Sequence, residues 1–87
     1  MAKVEIYTSM FCGYCHAAKR LLQELEVPFI EYDVGGDFEK RAKMGQRAGG
    51  RTTVPQIFIN GAHVGGCDEL YVLNRTGKLK RLLEQPA

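Results

Sequence analysis

Residues 3–25, KVEIYTSMFCGYCHAAKRLLQEL, change hydrophobic period midway, and that change decides the fold. Lys3 to Tyr7 alternates polar and apolar residues, with β-branched Val4 and Ile6 two apart, which predicts a short strand. Beyond the cysteines, Ala18, Leu21, Leu22 and Leu25 recur at helical spacing. Lys19, Arg20, Gln23, Glu24 and Glu26 cover the opposite face. A strand therefore runs into an amphipathic helix. The helix is expected to end at Pro28, because the residue before a proline is pushed out of the α region. Phe29 to Val34 (FIEYDV) alternates again and predicts a second strand. This β-α-β opening implies a parallel pair joined by a right-handed crossover.

The rest of the chain extends the sheet. Gly35-Gly36 breaks the second strand, and Asp37 has the chemistry of an N-cap for a helix running to Gly49-Gly50. Phe38, Ala42 and Met44 are its main apolar residues, so it is expected to be the least stable element. Phe38 is read as core or core-edge, together with Tyr7, Phe29, Tyr32 and Tyr71. Gln56 to Ile59 predicts a strand, Asn60-Gly61 a type I′ hairpin turn, and Ala62 to Val64 the returning strand. Asp68 to Asn74 reads as helix. A short C-terminal helix carries Leu79, Leu82 and Leu83. The order β-α-β-α-β-β-α-α predicts a single α/β domain over residues 1–87, a four-stranded mixed sheet with helices on both faces.

Composition narrows the function classes. Of 87 residues, 45% are hydrophobic and 25% charged, ordinary for a soluble globular protein with a modest core. The net charge of +2, from 12 basic and 10 acidic residues, demands neither nucleic acid nor an anionic membrane as partner. The N-terminal stretch lacks an apolar h-region and no segment approaches a membrane span, so the cytosol is the expected location. Thiols are kept reduced there, and a C-x-x-C pair is then expected to bind metal or turn over electrons.

Cys12 and Cys15 fit three chemistries. With His16 they spell C-x-x-C-H, the haem-attachment pattern. Haem fails on context, since no export signal is seen and Met44 is the one residue offered as a distal ligand. Zinc would draw on His63 and Cys67, spaced H-x3-C, but His63 falls in a strand and Cys67 opens a helix. A redox dithiol needs no further ligand. At the helix start Cys12 meets unpaired N–H groups and the positive end of the dipole, so its pKa should fall below the free value of about 8.5. Cys15 lies one turn deeper on the same face, within bridging reach. The dithiol is favoured.

VEIYT, CGYC at Cys12–Cys15, TVP at Thr53–Pro55, QIFI, and GGCDEL at Gly65–Leu70 follow one another over nearly the whole chain. In this order they resemble the glutaredoxins, thioredoxin-fold oxidoreductases that use glutathione. The resemblance implies catalysis by Cys12 with Cys15 resolving, and a cis bond before Pro55. It also implies a glutathione groove. Val54 would pair through its backbone, with Thr53 in the same groove and Tyr14 flanking the mixed disulfide. Gly66, Cys67 and Asp68 would take the γ-glutamyl end, and Arg41 or Arg51 the glycyl carboxylate. Glutathione is then the co-substrate, glutathionylated and disulfide-containing proteins are the partners, and a monomer is expected.

Two positions depart from that pattern. Gly13 stands where many relatives have Pro, and non-proline motifs also occur in relatives that hold a [2Fe–2S] cluster between two subunits with glutathione as co-ligand. Cluster carriage is therefore the alternative function. The segment Thr8-Ser9-Met10 lacks the Lys that relatives often have there. Cys67, the third cysteine, is read first as a small buried hydrophobe and second as a regulatory thiol. His16 and His63 read as surface or satisfied histidines.

Overall fold

The period change at the cysteines marks the boundary between the first two elements. In a computed structural model describing residues 1–87, β1 covers Val4–Thr8 and α1 covers Gly13–Glu24. Then follow β2 (Ile30–Asp33), α2 (Phe38–Arg47), β3 (Gln56–Ile59), β4 (Ala62–Gly65), α3 (Cys67–Arg75) and α4 (Lys78–Glu84). The sheet order is β2-β1-β3-β4. β1 runs parallel to β2 and antiparallel to β3, and β4 returns antiparallel to β3. The hairpin turns on Asn60 and Gly61, both at positive φ as a type I′ turn requires.

Helix α1 stops for a reason the sequence reading missed. Pro28 does not end it; Glu26 does, at φ 58°. The Val27 N–H donates to the Leu22 carbonyl at 2.9 Å and the Glu26 N–H to the Gln23 carbonyl at 3.0 Å, a Schellman cap with Glu where Gly is usual. Glu26→Gly is expected to stabilise the protein by about 0.5–1 kcal/mol, by removing a Cβ from the left-handed region. A thermal melt tests this, and an unchanged midpoint would mean the Glu side chain carries no penalty there.

One sheet face is apolar. Val4 and Ile6 of β1 and Ile57 and Ile59 of β3 pack with Leu21 and Leu22 of α1, Leu70 of α3, and Leu79 and Leu83 of α4. Burying each large aliphatic side chain contributes about 1.5–3 kcal/mol.

The other face carries the polar half of β1, and α2 covers it. Glu5 is buried there. Arg47, in the last turn of α2, donates to Glu5 Oε1 at 3.1 Å and Oε2 at 3.2 Å, and to the Tyr7 hydroxyl at 2.7 Å. Its guanidinium also lies 4.0 Å from the centroid of the Phe58 ring. The Tyr32 hydroxyl donates to Glu5 Oε2 at 2.8 Å. Helix α2 is thus fastened by an ion pair as well as by buried Met44 and Ala48. Phe38 corrects the sequence reading: it is 93% exposed, because it stands two turns ahead of the residues that meet the sheet, where nothing covers it. Gly45 lets α2 approach the next loop closely. A Cβ there would meet Thr52 Cγ2 at 2.9 Å.

Candidate active site

Cys12 is the N-cap of α1, with extended φ −125° and ψ 106°. Its sulfur accepts the Cys15 N–H at 3.1 Å, so one of the orphan donors of the helix start points at it. Negative charge on that sulfur is stabilised by this bond and by the helix dipole. Cys12 is half-buried and Cys15 fully buried. The two are joined as a disulfide with Cα atoms 5.2 Å apart. Once this bridge is reduced, an incoming disulfide reaches Cys12 and is screened from Cys15.

The turn before β3 faces the pair. The Val54–Pro55 bond is cis. The Val54 carbonyl oxygen lies 3.7 Å from Cys12 Sγ, placed to accept from the reduced thiol. Gln56 anchors this turn from below: fully buried, it donates from Nε2 to the Thr53 carbonyl at 3.0 Å and to the Thr53 hydroxyl at 3.3 Å. A carbonyl can only accept, so the amide nitrogen faces Thr53 and the amide oxygen faces His63 Nε2 at 2.6 Å. His63 must then carry its hydrogen on Nε2. Burial, helped by the nearby Arg51 cation, pushes its pKa down, so the ring is neutral at pH 7. Neither Gln56 nor His63 was singled out for this role from sequence, since nothing in the spacing Q-x6-H distinguishes it from strand alternation.

The third wall is the start of α3. Gly66 is its N-cap, and the Glu69 carboxylate accepts both the Gly66 N–H and Arg51 Nη1, each at 2.7 Å. Those two bonds, the backbone one first, hold the Glu69 carboxyl below its usual range. Gly65 has φ +124°, and a Cβ on it would meet Glu69 Oε1 at 2.5 Å, so the position requires glycine. Sequence reasoning missed Glu69 too, although G-x-x-E at a helix start is the spacing of half a capping box. The Gly66 N–H is spent on this contact. The N–H groups of Cys67 and Asp68 remain as helix-start donors. Burial, and then the Asp68 and Glu69 carboxylates, push the Cys67 thiol up.

Between these walls lies an open groove of about 360 Å³, bordered by Tyr14, Thr53, Val54, Pro55, Gly66, Cys67, Asp68, Glu69 and Arg51. Every site residue expected from the sequence lies at this groove or at the cysteine pair, with one exception. Arg41 lines a separate recess on α2 with Phe38, Ala42 and Thr52, so the fold does not bring it to the groove. Arg51 is at the groove, but ion-paired to Glu69. No three His, Cys, Asp or Glu side chains converge on one point, and the set Cys12, Cys15, His63 and Cys67 is not assembled. No helix is long and apolar enough to cross a membrane.

A reachable sulfur at a helix start, a second sulfur bonded to it and buried beneath, and a cis-proline turn opposite, all on a thioredoxin-like sheet, define a thiol–disulfide oxidoreductase. Comparison with known proteins narrows the class. A family model described as Glutaredoxin matches residues 4–64. The chain is 54% identical over 84 residues to Glutaredoxin 3 of Escherichia coli strain K12, covering 97% of this chain and all of that protein. It is 52% identical over 83 residues to a glutaredoxin of Pseudomonas aeruginosa, covering 95% and 98%. Among solved structures, the Brucella melitensis glutaredoxin superposes with a TM-score of 0.85 at 50% identity, covering 97% and 90%. A buckwheat glutaredoxin–glutathione complex gives 0.84 at 30% identity, covering 94% and 76%. The chain belongs to the glutaredoxin family.

Proposed function

We propose that this chain is a cytosolic, monomeric, glutathione-dependent oxidoreductase that removes glutathione from protein thiols and reduces protein disulfides. The observation that carries the reading is the asymmetry of the cysteines beside the groove: Cys12 is reachable and Cys15 buried. The Cys12 thiolate attacks the glutathione sulfur of a glutathionylated protein. The protein thiolate leaves and takes a proton from water, and Cys12 retains glutathione. A second glutathione thiolate attacks the glutathione sulfur, releasing glutathione disulfide and the Cys12 thiolate. For a protein disulfide, Cys15 attacks the mixed disulfide on Cys12, and two glutathione molecules reduce the resulting bridge.

The groove chemistry supports glutathione as the co-substrate. The backbone of Val54 faces the sulfur that reacts, and Thr53 is held beside it by Gln56. The Cys67 and Asp68 N–H groups at the α3 start suit an α-carboxylate, and the exposed Asp68 carboxylate suits the amine beside it. Tyr14 closes the outer rim. Arg51 is the cation for the glycyl carboxylate, shared with Glu69.

The test is an assay coupling glutathione, glutathione reductase and NADPH to a glutathionylated mixed disulfide, with wild type beside Cys15→Ser. Deglutathionylation is expected to persist in Cys15→Ser within a factor of about two, because that route uses one cysteine, while reduction of a protein disulfide falls at least tenfold. Equal loss of both activities would overturn the division of labour. No turnover in either protein, with a brown purified dimer absorbing near 420 nm instead (an expectation for [2Fe–2S] proteins), would replace the reading by cluster carriage.

A further inference from the structure

Eight large apolar side chains are left exposed, and three of them stand within two residues of Cys12: Met10 (69% exposed), Phe11 (96%) and Tyr14 (68%). Folding does not explain this cluster, because none of the three is buried in the core. Tyr14 borders the glutathione groove, but Met10 and Phe11 do not. Met10 instead borders a separate shallow recess that includes His16 and Lys19. The other walls of that recess are polar or charged, so outside the groove the exposed apolar surface next to Cys12 is the side chains of Met10 and Phe11.

We propose that Met10 and Phe11 form the docking rim for the protein part of the substrate, and that they favour cysteines flanked by apolar residues. This rests on the function proposed above. Exchange at a disulfide requires the attacking, central and leaving sulfurs to lie close to a line. With the body of glutathione filling the groove, the protein carrying the leaving sulfur approaches over the rim that the groove leaves free. Met10 and Phe11 are the exposed apolar side chains beside Cys12 that do not border the groove. An almost fully exposed phenyl ring next to the nucleophile gains from burial only when such a partner covers it. The bond changes are those of the first exchange: the Cys12 sulfur bonds to the glutathione sulfur, the protein thiolate leaves, and the apolar rim takes no part in the electron transfer. A small glutathionyl disulfide reaches no further than the groove and cannot use this surface.

Two glutathionylated peptides identical except for Leu or Ser on either side of the modified cysteine test this, with glutathionylated cysteine as the small control. Wild type is expected to show a kcat/KM about tenfold higher for the Leu-flanked peptide, equivalent to about 1.4 kcal/mol. In Met10→Ser/Phe11→Ser that preference should vanish, while turnover of glutathionylated cysteine stays within about twofold. Phe11→Leu should restore most of the preference. A wild-type enzyme that turns over both peptides equally, or a variant that keeps the preference, overturns the proposal and leaves the general activity standing. No turnover of the small control by wild type removes the proposed function and this inference together. If the rim is instead covered by a second copy of the chain, wild-type specific activity would fall with protein concentration and the double variant's would not; that outcome also overturns it.

Discussion

Cys12→Ser is expected to lower disulfide exchange by more than about a thousandfold, to the uncatalysed rate. A serine hydroxyl stays protonated near neutral pH and is a poor nucleophile toward sulfur. No alternative thiol takes over: Cys15 is fully buried beneath position 12, and Cys67, although at the groove, is buried with its ionisation pushed up. The fold should survive the change. Serine is a favoured N-cap, and its oxygen can accept the Cys15 N–H that the sulfur accepts now. A thermal midpoint within a few degrees of wild type, beside lost turnover in the coupled assay, would assign the loss to chemistry. Retained turnover would sink the assignment of Cys12 as the nucleophile.

Arg47→Ala carries the largest expected loss of stability, about 2–3 kcal/mol. Breaking a buried ion pair from one side costs about 3–5 kcal/mol because the partner charge is stranded. The lower figure applies here because the Arg47 side chain is 35% exposed and so partly screened, whereas that of Glu5 is 8% exposed. For a domain of this size the loss corresponds to a fall in midpoint of about 10–20 °C. The pair also fixes the direction of the acid response. The bond from Arg47, opposed by burial and aided by the Tyr32 hydroxyl, holds the Glu5 carboxyl below its ordinary value of 4.5. A carboxyl depressed in the folded state contributes fully above its unfolded pKa. That contribution is lost as pH falls through the folded value. Wild type should therefore lose stability from about pH 4.5 downward, and Arg47→Ala should lose less over the same range. Parallel denaturation curves at pH 7 and pH 3 check both statements. An equal gap between the proteins at the two pH values would show that the pair is not what is titrating.

The groove beside Cys12 joins segments far apart in the chain, and each had a local sign. Thr53-Val54-Pro55 and Gly66-Cys67-Asp68 were legible as short motifs, and Cys12-Gly13-Tyr14-Cys15 as a dithiol at a helix start. The contacts that hold those motifs in place were not. Gln56 reads as an ordinary strand residue until the fold turns its amide under Thr53. Glu69 reads as a first-turn acidic residue until Arg51 and the Gly66 N–H meet it.

Hydrophobic period and turn chemistry by themselves determined the order of elements, the mixed sheet and the position of Cys12 at a helix N-terminus. Those features depend on neighbours within a few residues, where spacing, β-branching, glycine and proline act directly. Only the tertiary structure decided what covers the polar face of β1, why Phe38 stays in solvent, why Arg41 is absent from the groove while Arg51 is present, and which donors remain free there. Each of these depends on pairs many residues apart: Glu5 and Arg47 are 42 positions distant, and Arg51 and Glu69 are 18. An alternating strand has the same pattern whether its polar side meets water or a guanidinium, because the period records that the two faces differ and not what lies against each.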